Sequence, residues 1–116
     1  MVDPAYHAAL QGLDGFSHLI LIYWLQRAAR TTLSITPPFD SEPRGIFATR
    51  APSRPNPLGL SVAAFDGFAA PGVLRVRYLD CLDGTPLLDI KPYLHTTDSE
   101  PHATAGWLAP HLTRRG

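Results

Sequence analysis

Proline sets the limits on this fold. Twelve of the 116 residues are Pro and nine are Gly. Each Pro lacks a backbone donor and clashes with a preceding helical turn, so long helices have little room. The longest apolar run, Leu19 to Leu25, spans seven residues, far short of the roughly 20 that cross a membrane as a helix. Hydrophobic residues make up 45% and charged residues 17%, a balance that favours one packed domain over disorder. The N-terminus carries no basic-then-apolar secretion pattern. Cys81 stands alone, which excludes an intrachain disulfide and a multi-cysteine metal site. A cytoplasmic protein without a membrane segment is the expectation.

Only the N-terminus reads as helical. Asp3-Pro4 supplies an N-cap followed by Pro at the first helical position, and Ala5 to Leu10 follow as two turns. Phe16 to Leu25 reads as a strand with two largely apolar faces: Phe16, His18, Ile20, Ile22 and Trp24 on one, Ser17, Leu19, Leu21, Tyr23 and Leu25 on the other. Both faces are expected to be covered. Thr31 to Arg44 is a polar loop. Further strands are expected at Gly45–Arg50, Leu60–Phe68, Val73–Asp80 and Pro86–Leu94, with turns at Pro71-Gly72 and Asp83-Gly84. The expected fold class is therefore all-β: a small antiparallel β-barrel with a short N-terminal helix and a short C-terminal tail, in which Trp107 packs back onto the body.

The formal charge is zero, with ten basic and ten acidic side chains. That argues against broad electrostatic adhesion to nucleic acid and leaves only a local patch to hold a polyanion. Nine of the ten cations are Arg, with Lys91 the exception. Arg suits bidentate recognition of phosphate and carboxylate. Two segments carry candidate chemistry. In the first, Pro52, Pro55 and Pro57 stiffen an extended loop that presents Arg50, Ser53, Arg54 and Asn56. Such a loop loses little entropy when a ligand binds. A plain rigid connection with surface Arg side chains fits the same residues. In the second, the Asp83-Gly84 turn with Thr85 could line a small-molecule site, and Asp89, Lys91 and Tyr93 share one face of the following strand. A solvated face with a weak ion pair is the competing reading there. His18 fits best as a hydrogen-bonded core residue. His7, His95, His102 and His111 lack metal-ligand spacing, and no metal site is expected. No phosphate-binding loop, dinucleotide fingerprint or serine elbow is present.

Three stretches read together are more specific. Asp14-Gly-Phe-Ser-His-Leu19, Gly45-Ile-Phe-Ala-Thr-Arg-Ala-Pro-Ser-Arg-Pro-Asn-Pro-Leu-Gly-Leu60 and Leu82-Asp-Gly-Thr-Pro-Leu-Leu-Asp-Ile-Lys-Pro-Tyr93 resemble the signature blocks of the TsaA-like (YaeB) family, the tRNA methyltransferase O family. Their order and spacing agree over about residues 12 to 108. The resemblance implies a homodimeric β-barrel that binds S-adenosylmethionine and methylates N6 of threonylcarbamoyl-adenosine beside the tRNA anticodon. It implies cofactor contacts from Gln26, Arg50, Leu60, Leu82, Asp83, Gly84 and Thr85. Family members usually carry an extra N-terminal strand with a Pro-Arg-Gln-type segment, and many carry a C-terminal tRNA-holding domain. The expectation here is a single domain, 1–116, without either. The family's His-Gln pair after the first apolar strand reads Gln26-Arg27 in this chain.

On that basis Arg54, Asn56 and Tyr93 are expected to meet the substrate, with Arg50 and Arg54 suited to a carboxylate or phosphate. Asp89 and Lys91 are expected as the catalytic pair, positioning the acceptor or assisting proton removal. A non-enzymatic S-adenosylmethionine sensor and a small-molecule methyltransferase are the alternatives.

Overall fold

The computed structural model describes residues 1–112; residues 113–116, the end of the expected tail, lie outside the described residues. Its centre is a four-stranded antiparallel sheet in the order β5-β4-β1-β6. The strands are β1 (His18–Trp24), β4 (Leu58–Ala70), β5 (Val73–Arg77) and β6 (Leu87–Pro92). A two-stranded ribbon joins β2 (Ser34–Ile35) to β3 (Arg44–Gly45). A single helical turn, α1 (His95–Asp98), follows β6.

The expected alternation on β1 holds on one side. Leu19, Leu21 and Tyr23 are buried and pack with Leu13, Ala63 and Phe65. Ile20, Ile22 and Trp24 are half-buried and His18 is exposed, so within one copy the second face is only partly covered. His18 is therefore not a core residue. Its Nδ1 lies 2.7 Å from Ser17 Oγ, and its ring meets the edge of Tyr93. The sheet itself is open among the described residues, with β5 and β6 at its edges; no closed barrel is present there.

Several element readings need correction. Pro4–Leu10 is a 3₁₀ helix, capped as expected by the Asp3 carboxylate, which accepts from Ala5 N at 2.9 Å. Most of the Gly45–Arg50 strand is replaced by a 3₁₀ turn, Ile46–Ala48, because the buried Ile46 side chain and the bond from Thr49 N to its carbonyl curl the chain. Asp83-Gly84 is a turn but not a hairpin. Gly84 has φ +80° and Thr85 N donates to Leu82 O, yet β5 and β6 lie on opposite edges of the sheet. The cause is upstream. Tyr78 takes φ +68°, the left-handed region that L side chains seldom adopt. That turns the chain away from β4, and it crosses the buried side of the sheet, where Cys81 packs against the core. Trp107 docks as expected: its Nε1 donates to Ala48 O at 2.8 Å.

Candidate functional site

The divergence at Tyr78 opens the site. β5 pairs with β4 only from Ala64 onward, so Leu58 to Ala63 have β1 on one side and, among the described residues, no strand on the other. Phe65 N bonds Ser17 O, and Leu25 N bonds Pro57 O. The antiparallel alternation then turns the odd-numbered β4 residues toward β1 and the even-numbered ones away. The backbone N–H and C=O of Leu60 and Val62 thus face outward from the sheet edge, without a backbone partner among the described residues. Between that edge, the Thr49–Arg54 loop and the Tyr78–Thr85 crossing lies a cleft of about 1040 Å³, at the upper end of the usual small-molecule range.

Tyr23 forms part of its floor. Its hydroxyl lies 2.7 Å from Ser61 Oγ and donates to Asp80 O at 3.0 Å. Those bonds tie the crossing segment to the sheet. The Tyr23 ring lies against Gly59, its cross-strand partner, where a β-carbon would overlap the ring. At the rim, Gln26 Nε2 donates to Gly84 O at 3.3 Å and links the end of β1 to the turn.

Six of the sequence-derived cofactor residues, Gln26, Arg50, Leu60, Leu82, Asp83 and Thr85, line this one cleft. Gly84 joins through its carbonyl. The proline-braced loop and the tight turn, distant in sequence, therefore share a cavity. Arg54 also lines it, but its Nη1 donates to Thr49 O at 2.9 Å and Ala51 O at 3.1 Å, bracing its own loop. Asn56 lies outside the lining and accepts from Arg30 Nη2. Asp89 and Lys91 are on β6 and Tyr93 directly follows it, all outside the lining. Asp89 and Lys91 pair with each other at 3.2 Å, both about half exposed, across from Ile22 and Ile20 of the open sheet face.

Sequence reasoning passed over four residues that shape the cleft: Tyr23, Arg27, Tyr78 and Asp80. Arg27 and Arg50 have no ion-pair or hydrogen-bond partner among the described residues, and neither do the Asp80 and Asp83 carboxylates. Two uncommitted guanidiniums and two uncommitted carboxylates line the same space. That lining matches a ligand carrying charges of both signs.

A second, almost wholly apolar cavity of about 290 Å³ adjoins the first, and Thr49, Arg50 and Ala51 line both. Trp107 and Phe39 form part of its wall. Arg44 lies over the Trp107 ring at 4.9 Å and is held by the Asp40 carboxylate through Nε at 3.3 Å and Nη2 at 3.0 Å. That hydrogen bond from Arg44, aided by the Ser41 and Glu42 backbone N–H groups against partial desolvation, holds the Asp40 carboxyl below its ordinary range. A depressed folded-state pKa means that the stabilisation is complete above the unfolded carboxylate's value, about 3.9, and is lost as pH falls through the lower folded value. We expect tryptophan emission of the wild type to change as pH falls below about 4, as Arg44 loses its anchor beside Trp107. In Asp40→Asn that step should be absent.

An open antiparallel sheet whose free strand edge, stiff Arg loop and crossing segment enclose a cleft of small-molecule size defines a small ligand-binding type of β-domain. A family model described as the tRNA-methyltransferase O N-terminal domain matches residues 1–99, and the chain belongs to that family, as its three sequence blocks anticipated. It is 48% identical over 110 residues to a probable S-adenosyl-L-methionine-binding protein of Archaeoglobus fulgidus, covering 92% of this chain and 29% of that protein. A similarly described protein of Methanothermobacter thermautotrophicus is 47% identical over 98 residues, covering 84% of this chain and 70% of the relative. A tRNA (adenine(37)-N6)-methyltransferase of Eikenella corrodens is 49% identical over 67 residues, covering 56% of this chain and 38% of that enzyme. A crystal structure of TrmO from Pseudomonas aeruginosa superposes with TM-score 0.73 at 37% identity, covering 91% of this chain and 45% of that one. The chain thus spans less than half the length of several of the proteins it matches.

Proposed function

We propose that this chain binds S-adenosylmethionine in the cleft and transfers its methyl group to N6 of threonylcarbamoyl-adenosine beside the tRNA anticodon. The observation that carries the reading is the convergence of Arg50, the Leu60 strand edge and the Leu82–Thr85 turn on one cavity with free charges of both signs. S-adenosylmethionine carries a carboxylate, an ammonium and a sulfonium, and the lining answers each. Arg50 or Arg27 takes the carboxylate as a guanidinium fork. Asp80 and Asp83 face the cationic groups. Leu60 offers a backbone donor and acceptor side by side, the pattern that an adenine edge requires.

Held by Arg50 or Arg27 and the Leu60 edge, the cofactor would supply an activated methyl group, and the proton of the methylated nitrogen would pass to water. The protein's share is to hold donor and acceptor in line. The Tyr23 bonds to Ser61 and Asp80 keep the crossing segment at a fixed distance from the strand edge. Asp89 and Lys91 on β6, and Tyr93 just after it, fall outside that alignment in this reading.

A homodimer and a cytoplasmic setting belong to the same proposal. The open face carries the apolar Ile20, Ile22, Leu58, Leu60 and Val62 beside the Asp89–Lys91 pair, and a second copy would cover its apolar part. Closure of the sheet into a barrel would need further strands along the free edges of β4 and β6. No described helix is long and apolar enough to cross a membrane.

Calorimetry with S-adenosylmethionine, followed by methyl transfer from labelled cofactor to threonylcarbamoylated tRNA, tests the function. Binding with transfer is the expected result. Binding without transfer to that tRNA would leave a sensor or a small-molecule enzyme, and absence of binding would remove the cleft from consideration.

A further inference from the structure

The proposed reading of the cleft leaves the apolar cavity beside it without a role. From its lining we infer that it is the acceptor-side subsite, taking an unpaired nucleobase of RNA by stacking; this rests on the proposed methyl-transfer reading of the adjoining cleft.

Four observations carry the inference. The first is composition. The cavity is walled by Ile35, Pro37, Phe39, Trp107 and Leu108, with almost no polar surface. A space of about 290 Å³ is at the small end of ligand pockets, the scale of one base rather than a whole cofactor. The second is ring geometry. Phe39 and Trp107 are nearly parallel, with 9° between their planes and centroids 6.2 Å apart. Flat aromatic surfaces are what unstacked bases seek in single-stranded RNA recognition. The third is rigidity. Trp107 is fixed by its Nε1 bond to Ala48 O and by Arg44 against its ring, and Pro37 is buried. A platform that is already ordered loses little entropy on binding.

The fourth is position. Of the residues lining the cavity, Thr49 and Arg50 bear polar side chains. Thr49 Oγ1 is committed, donating to Ile46 O at 2.9 Å and accepting from Ala51 N at 3.3 Å. Arg50 has no partner among the described residues. It lies on the wall common to both cavities. An apolar slot that shares a wall with the cleft suits a base alone: the ring enters by stacking while Arg50 serves the ligand of the cleft. The arrangement also sets donor and acceptor in neighbouring spaces, as a direct transfer requires.

The test uses tryptophan emission. Trp24 is replaced by Phe, which leaves Trp107 as the reporter. A short RNA stem-loop with an unpaired loop adenosine is then titrated, with S-adenosylmethionine binding followed in parallel by calorimetry. The expected result is saturable quenching of Trp107 by the stem-loop. Adding Phe39→Ala should weaken RNA affinity about tenfold, in line with loss of one stacking surface, with cofactor affinity unchanged. Phe39 is 54% exposed, so its truncation leaves the fold intact, and Phe39→Tyr should restore binding. Unchanged RNA affinity in Phe39→Ala, or no quenching at any RNA concentration, would overturn the subsite while cofactor binding kept the cleft reading alive. Loss of cofactor binding in the wild type would instead defeat the methyl-transfer reading, whatever the RNA titration gave.

Discussion

Gly59→Ala should unfold at a temperature about 10 °C or more below the wild type, the result of about 2–4 kcal/mol of overpacking and lost hydrogen bonding. The added carbon would overlap the Tyr23 ring. Gly59 lies in a regular strand register opposite Tyr23, so the backbone has no loop in which to absorb the shift. The ring must move, yet it is 95% buried and its hydroxyl holds both Ser61 and the Asp80 carbonyl. Displacing it releases the crossing segment that forms one wall of the cleft. Stability and cofactor affinity should therefore fall together. Gly45→Ala is the control. No heavy atom lies within 4 Å of its added carbon and its φ is −60°, so its melting temperature should stay near that of the wild type. Thermal unfolding followed by circular dichroism decides the matter: a Gly59→Ala variant as stable as Gly45→Ala would mean that Tyr23 is not seated on the strand as described.

The same pair explains what the sequence could and could not disclose. Periodicity located β1 and put Leu19, Leu21 and Tyr23 on one face, because burial follows the two-residue repeat. It could not say how far the opposite face is covered within one copy, since coverage depends on partners and not on the strand's own residues. The turn at Asp83-Gly84 was legible from local chemistry. Its hairpin was not, because a positive φ at Tyr78 has no composition signature and redirects the chain to the far edge of the sheet. Gly59 did carry a readable signal, since an isolated Gly in a strand often marks a close approach. The free carboxylate of Asp80 and the free guanidinium of Arg27 carried none. Their importance comes from what fails to pair with them in space. The Asp89–Lys91 pair was legible as an alternating motif, and the structure forms it, but spacing along a strand does not say which cavity a side chain reaches.

The second large effect concerns affinity. Arg50→Ala and Asp83→Ala should each weaken S-adenosylmethionine binding by about 10- to 150-fold, the range for loss of about 1.5–3 kcal/mol from a hydrogen bond to a charged group. Both side chains line the cleft, are exposed, and have no partner among the described residues. Their removal breaks no internal contact, so unfolding curves should match the wild type. That separates them from Arg54→Ala, which removes two bonds to loop carbonyls and should loosen the loop as well as weaken binding. It separates them also from Asp89→Ala and Lys91→Ala, where a half-exposed pair is worth about 0–1 kcal/mol and cofactor affinity should be unchanged. If the two residues meet opposite ends of one ligand, they share no contact, and the double variant should show the sum of the single losses. Full affinity in Arg50→Ala, Asp83→Ala would refute the site. A strongly sub-additive loss would instead mean that the two groups meet each other in the bound state, with the ligand held elsewhere along the free edge of β4.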